Sequence, residues 1–264
     1  MNARDSSQNE NESQSKRKLY LIRHGQAGGE KYNKLTPLGE KQARALGVYF
    51  ARQKIQVDLA ATGTLERQRE TYQLFAEAFT SETGRPPPEP TVVPGLDEIT
   101  PDIWFTLGEE LRHKDPEFRG DFKQWLGSLR ESEKRGVAKE AYINVLTQVI
   151  EVWVKGDYEA SDIESFQDFY ERVLGTRAQL PGTQANSDAD GGSPARDLVV
   201  ISSGTPIALL IGKALGFDLQ RSLEFTRRVA NTSLSIFETS GDLAWEPITI
   251  NSLPHLSHEI MTEI

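Results

Sequence analysis

The chain of 264 residues has no cysteine, which excludes a disulfide framework and every thiolate metal site and fits a reducing compartment. No apolar run approaches the roughly 18 residues of a membrane span, and Met1 to Ser15 lacks the apolar core of a secretory signal. The sequence therefore predicts a cytoplasmic protein with no membrane partner. Positive charge is also in short supply, with 30 Lys and Arg against 39 Asp and Glu, a net charge of −9 and a pI near 5.1. That balance disfavours nucleic acid as a partner. A small anionic substrate stays open, because a few arginines in a cleft make a local positive field inside an acidic protein. The phosphate-cradling Gly-rich Lys-Ser/Thr motif is missing from the sequence, as is any obvious magnesium cluster, so nucleotide-triphosphate chemistry is disfavoured and no metal or cofactor is expected.

What is present reads as one domain with an insertion, since a chain of this length sits near the size where a single core stops growing. Residues 1–18 are polar and charged with almost nothing to bury, and are expected to form a disordered tail closed by the solvated cluster Lys16-Arg17-Lys18. Leu19-Tyr20-Leu21-Ile22 reads as a buried parallel strand that stops at Arg23-His24-Gly25. Thr36-Pro37 opens a helix carrying Leu38, Ala45, Leu46, Tyr49 and Phe50 at helical spacing. A second strand over Val57 to Ala61 and a second helix, with Leu65, Tyr72, Phe75, Ala76 and Phe79 on one face, follow before Arg85-Pro86-Pro87-Pro88. Strand, helix, strand, helix is the pattern of parallel βαβ units.

Residues 101–158 carry helical periodicity without intervening strands and are expected to form an inserted helical cap. Ser165 with Asp168 resembles a capping box. Residues 181–196 are rich in Gly, Ser, Asn and Asp and read as a mobile loop. Leu198 to Ile201 is the clearest buried strand, Thr205-Pro206 opens a helix that Gly216 closes, and Thr232 to Glu238 and Leu243 to Ile250 alternate as two last strands around Ser240-Gly241. There is no internal repeat.

Arg23-His24-Gly25 at a strand end gathers a guanidinium, an imidazole and an unobstructed backbone N–H, a set that suits phosphoryl oxygens. Leu21 to Ala27 followed by Leu35-Thr36-Pro37-Leu38-Gly39-Glu40-Lys41-Gln42-Ala43 resembles the opening of the histidine phosphatase (phosphoglycerate-mutase-like) superfamily. Gly63 to Thr71 is similar to that family's second arginine helix, Leu96-Asp97-Glu98 to its acidic segment, and Val199 to Gly204 to its last motif strand. The resemblance implies an α/β fold, a three-layer α/β/α architecture around a mostly parallel central sheet, with the helical cap inserted.

By the same resemblance His24 is the nucleophile, Arg23 and Arg67 bind the phosphoryl oxygens, and Glu98, or its neighbour Asp97, donates the proton to the leaving oxygen. Gly25, Gln26, Thr36 and Gly204 are the expected substrate contacts, and Thr71 and Gln42 are as readily helix-packing residues. The two arginines should favour a neutral His24, which has a lone pair to use. The departure is Ser203, at a position where the family usually has a second histidine. Losing one such donor costs about 3 kcal/mol, roughly a hundredfold in rate, unless the Ser203 hydroxyl or Gly204 N–H substitutes.

A phosphomonoesterase on a small phosphorylated substrate is therefore expected. A mutase is the near variant, disfavoured because the stretch from Gly25 to Leu35 lacks the Trp- and Asn-bearing sequence and following Gly-Trp of the sugar-acid mutases. A silent phosphate-ligand binder is the alternative from another class. His113, His255 and His258 lie outside every motif, and Trp104, Phe105 and Trp125 read as cap core more readily than as contacts to a leaving group. Oligomeric state does not follow from these residues.

Overall fold

The structure is a computed structural model that describes residues 16–28, 33–130, 139–182, 196–239 and 245–262. Most of the expected tail, most of the 181–196 loop and the Ser240-Gly241 turn lie outside those residues. The first apolar run forms β1 (Arg17–Arg23), which starts two residues before Leu19, so Arg17 and Lys18 belong to the sheet rather than to the tail. Pairing explains the earlier start: Arg17 lies opposite Thr239, and the Lys18 N–H donates to Asp197 Oδ1 at 2.8 Å.

A small hairpin, β2 (Ala27–Gly28) and β3 (Lys34–Leu35), leads into α1 (Pro37–Arg52). Thr36 caps that helix, its hydroxyl accepting from the Gly39 N–H, and Pro37 takes a position where no N–H is needed. The second strand, β4 (Leu59–Thr62), starts two residues later than Val57 because Leu59 is its first residue in register, opposite Leu198. The following helix, α2 (Glu66–Thr83), uses Leu65 as its N-cap and closes on Gly84 at φ 71°, ahead of the proline run.

After β5 (Thr91–Val92) and a 3₁₀ turn over Pro94–Leu96, three helices follow: α3 (Pro101–Lys114), α4 (Pro116–Arg130) and α5 (Lys139–Lys155). The Ser165 cap then opens α6 (Phe166–Gln179). The chain finishes with β6 (Leu198–Ser202), α7 (Gly204–Leu215), α8 (Leu219–Thr226), β7 (Leu234–Thr239), β8 (Trp245–Ser252) and a 3₁₀ turn over His258–Ile260. The helix after β6 opens at Gly204, with Ser203 as its N-cap, one residue before the Thr205-Pro206 start read from the sequence.

Within the described residues the main sheet runs β5-β4-β6-β1-β7-β8. The first four strands are parallel, and β7 and β8 are antiparallel, so the sheet is mostly parallel as expected. One face sets Tyr20, Ile22, Val199 and Ile201 against Leu46 and Phe50 of α1 and Tyr72 and Phe75 of α2. The other sets Leu19, Leu21 and Val200 against Phe169 and Val173 of α6 and the apolar side of α7. Each such fully buried side chain stabilises the fold by about 1.5–3 kcal/mol, and helices on both faces of the sheet make three layers.

The α3–α5 segment has no strand among its described residues. Its Ile103, Leu107, Phe118, Phe122, Val145, Val149 and Trp153 continue the apolar cluster of α6 and α7. Gly108 brings α3 close to α4, since a Cβ there would stand 2.1 Å from the Phe122 ring. Trp125 is buried beside Phe122 at 5.5 Å, while Phe105, stacked on it at 5.7 Å, is exposed.

Candidate active site

The C-terminal ends of β1, β4 and β6 share one edge of the sheet, the edge where ligands bind in open parallel sheets. Arg23 and Ser202 are the last residues of their strands and pair with each other, and the His24 N–H extends the ladder by donating to Ser202 O at 2.9 Å. His24 is 1% exposed. Its Nδ1 lies 2.7 Å from Gly25 O, an acceptor only, so Nδ1 carries the proton. Nε2 therefore presents its lone pair, and Arg67 Nε donates to it at 3.0 Å. Burial pushes the His24 pKa well below the usual imidazole value, and the positive charges of Arg67 and Arg23 lower it further against a smaller opposing effect of the Gly25 carbonyl. The ring is held neutral with one defined nucleophilic nitrogen.

Arg67 reaches the ring from the first turn of α2. Arg23 is fixed from the other side, its Nη1 donating to Val229 O at 2.5 Å. Its Nε is buried with no partner, and a Cβ on Gly204 would stand 3.7 Å from that nitrogen. A buried guanidinium N–H without an acceptor, beside a helix N-terminus whose first N–H groups lack intrahelical partners, is an anion-binding arrangement.

Glu98 joins this edge. Its Oε2 accepts from the Thr205 N–H at 3.1 Å, so the carboxylate lies over the start of α7 next to Gly204, while Oε1 accepts from the Ile99 N–H. Asp97 points elsewhere: both its oxygens are taken by Thr64, from the backbone N–H at 2.7 Å and the hydroxyl at 2.5 Å. Of the two acidic candidates, the one beside the helix start is Glu98. Ser203 is fully buried, and its hydroxyl accepts from Gln68 Nε2 at 2.9 Å.

Three expected substrate contacts are otherwise engaged. The Gly25 N–H is not unobstructed; it donates to Thr71 Oγ1 at 3.0 Å. Gly25 is glycine because of Gly39, whose carbonyl oxygen would lie 2.6 Å from an added Cβ. Gln26 and Thr36 hold each other, the Thr36 hydroxyl donating to Gln26 Oε1 at 2.8 Å and the Thr36 N–H to Gln26 O at 2.9 Å. These contacts shape the loop that carries His24.

No curated protein matches the chain. The family model of the histidine phosphatase superfamily (branch 1) matches residues 19–155 and 148–251. The chain belongs to that superfamily. Solved structures agree at the level of the fold. A mycobacterial glucosyl-3-phosphoglycerate phosphatase, seen with inorganic phosphate, is 19% identical with a TM-score of 0.53, over 91% of this chain and 100% of its own. The alpha-ribazole phosphatase of Shigella flexneri is 17% identical with a TM-score of 0.53, over 89% and 96%. A phosphoglycerate mutase from Bacillus anthracis is 15% identical with a TM-score of 0.53, over 92% and 96%.

This histidine phosphatase relative also uses residues that sequence reasoning passed over. Asn231 Nδ2 donates to His24 O at 3.0 Å, and the Thr232 N–H donates to Arg23 O at 3.0 Å, with Thr232 itself at φ 58°. Arg172 on α6 donates through Nη1 to the carbonyls of Pro94, Gly95 and Asp97, each at 3.2 Å, while pairing with Glu164, and so fixes the turn that presents Glu98. No local motif marks these residues. Gln42 is a packing residue: its amide joins the Gln26 N–H to Ile260 O and Thr262 Oγ1. His255 is bonded to the Oγ1 of Thr232, the residue whose N–H donates to Arg23 O, at 3.0 Å, and packs near Tyr49. Among the described residues no three His, Asp or Glu side chains cluster as a metal site, and no helix is long and apolar enough to cross a membrane.

Proposed function

We propose that this chain is a phosphomonoester hydrolase acting through a phosphohistidine on a small phosphorylated metabolite in the cytoplasm. The observation that carries the reading is the defined His24 tautomer, with its Nε2 lone pair aimed at Arg67 and the unpartnered Nε of Arg23 at the same sheet edge. Nε2 attacks phosphorus, an N–P bond forms and the ester O–P bond breaks. Glu98 gives a proton to the departing alkoxide, then takes one from the water that attacks phosphorus and frees inorganic phosphate and neutral His24. Arg23 and Arg67 neutralise the phosphoryl oxygens in a water-poor setting, the electrostatic contribution expected to be largest. No metal or organic cofactor takes part.

Arg67 Nε now occupies the direction of attack, so substrate has to draw it from the ring onto a phosphoryl oxygen. The phosphate charge is a stronger acceptor than a neutral imidazole, which supplies the driving force for that exchange. The α3–α5 segment is the proposed cap and the source of specificity, since a fold shared by many chemistries does not itself choose a substrate.

Ser203 favours one second reading, a weakened or silent phosphate binder on the same fold. A chromogenic aryl phosphate, assayed with wild type, His24→Ala and Ser203→His and with chelator present, separates the two. Hydrolysis abolished in His24→Ala, raised in Ser203→His and unchanged by chelator is the expected result. Background rates in wild type would end the hydrolase reading.

A further inference from the structure

We infer that Gln68 is a positioning residue that turns the Ser203 hydroxyl proton toward the phosphoryl group, an inference that rests on the hydrolase reading of this site. Gln68 follows Arg67 on the first turn of α2 and is fully buried. One atom of its side-chain amide lies 3.0 Å from Leu96 O and 2.9 Å from Ser203 Oγ. A backbone carbonyl only accepts, so that atom is the NH₂ nitrogen. Its two protons are then divided, one to Leu96 O and one to Ser203 Oγ. Leu96 O is held in place by a second donor, the Ser202 hydroxyl at 2.7 Å.

With a Ser203 lone pair engaged by Gln68, the hydroxyl's own proton has to point elsewhere, and among the described residues it meets no acceptor. Ser202 pairs with Arg23, so Ser203 stands level with His24 one residue further along. The alternation that puts Ile22 and Ile201 on one face of the sheet carries on to His24 and Ser203. A phosphoryl oxygen bound at His24 Nε2 supplies the acceptor that the hydroxyl lacks. The serine thereby acts as a neutral donor, oriented by an amide rather than by a ring.

The arrangement has a cost. Gln68 Oε1 is left buried without a partner, against the backbone of Gly63, where a Cβ would stand 2.1 Å from it. Leaving a buried acceptor unsatisfied is destabilising. The flipped amide is worse, because it sets acceptor against acceptor at Leu96 O. A buried polar side chain that gains little for the core and fixes the proton of one hydroxyl is consistent with a role in the reaction.

The test is a double-mutant cycle on the full chain with an aryl phosphate, using wild type, Gln68→Met, Ser203→Ala and the double variant. Ser203→Ala is expected to lower kcat about tenfold or more, and Gln68→Met to lower kcat by a similar factor with KM little changed. In the Ser203→Ala background Gln68→Met should cost less than about twofold, because the hydroxyl it orients is gone. Equal losses in both backgrounds mean a packing role and overturn the inference while leaving the hydrolase reading intact. If wild type shows no turnover beyond His24→Ala, the hydrolase reading has failed separately, and the same cycle is read from inorganic phosphate affinity by calorimetry. Coupled losses there support the positioning role, and additive losses or no binding overturn it. Should Gln68→Met not fold, Gln68→Asn, one methylene too short to reach Ser203, takes its place.

Discussion

The Nε–H of Arg67 is directed at the Nε2 lone pair of His24 across 3.0 Å, with both side chains buried. Burial favours the neutral imidazole and this guanidinium adds to it, and in the proposed reaction the same guanidinium then binds the phosphoryl group. Arg67→Met separates the two effects. Its kcat/KM is expected to fall by roughly a hundredfold or more, as for loss of a preorganised transition-state donor. Its pH profile should also move. The acid limb reports protonation of His24, which Arg67 opposes, so removing that charge raises the imidazole pKa and shifts the limb to higher pH. The shift remains partial, since burial, the larger cause, is untouched. A pH–kcat/KM profile in which the residual activity keeps its acid limb unchanged contradicts this account.

In the proposed reaction Glu98 protonates the leaving oxygen, and leaving groups differ in how much they need that proton. Glu98→Gln keeps an acceptor for the Thr205 N–H and so preserves the start of α7. The variant is expected to lose about 10²–10⁴-fold in kcat on an alkyl phosphate and far less on an aryl phosphate with an acidic phenol. Parallel kinetics on the two esters check it, and equal losses on both argue for a binding role instead.

Asp97 carries the opposite expectation. It spends both carboxylate oxygens on Thr64, just ahead of α2, and so holds the loop that delivers Arg67. Asp97→Ala should destabilise the protein by about 0.5–1.5 kcal/mol, the net worth of a hydrogen bond whose partners can turn to water. Thermal unfolding measures that, and the leaving-group dependence seen for Glu98→Gln should be missing.

Much of this site was legible because strand ends announce themselves. The apolar run to Ile22 stops at Arg23-His24, and Leu198 to Ile201 stops at Ser202-Ser203, so the two chemical segments had to meet once the strands were paired. The α2 arginine followed from the same logic, one crossover away. What stayed hidden was long-range and polar. Nothing near Arg172 predicts that it grips the carbonyls of Pro94, Gly95 and Asp97, and nothing near Asn231 predicts that it holds the His24 carbonyl. The contact between Gly25 and Gly39 is hidden for a related reason: the two are apart in the chain, and only folding brings their backbones together. Short elements such as β5 and α8 gave too few residues for a period to register.

His255 makes stability depend on pH. It is largely buried, bonded through Nε2 to Thr232 Oγ1, with Nδ1 left without a partner, and burial lowers its pKa from 6.5 to about 4. The folded state therefore binds this proton less readily than the unfolded chain. Between those two values the unfolded chain is protonated there and the folded protein is not, so stability is full above pH 6.5 and is lost as pH falls toward 4. The loss is on the order of 3 kcal/mol at most, from about 1.4 kcal/mol for each unit between the two values. His24 acts with the same sign, so wild type alone does not isolate the effect. His255→Gln keeps a polar partner for Thr232 but does not titrate in this range. Denaturant unfolding from pH 8 to pH 4 should show wild type losing stability faster than the variant below pH 6.5, with parallel curves above it. Curves that stay parallel to pH 4 show that His255 is as free to protonate in the folded protein as in the unfolded chain.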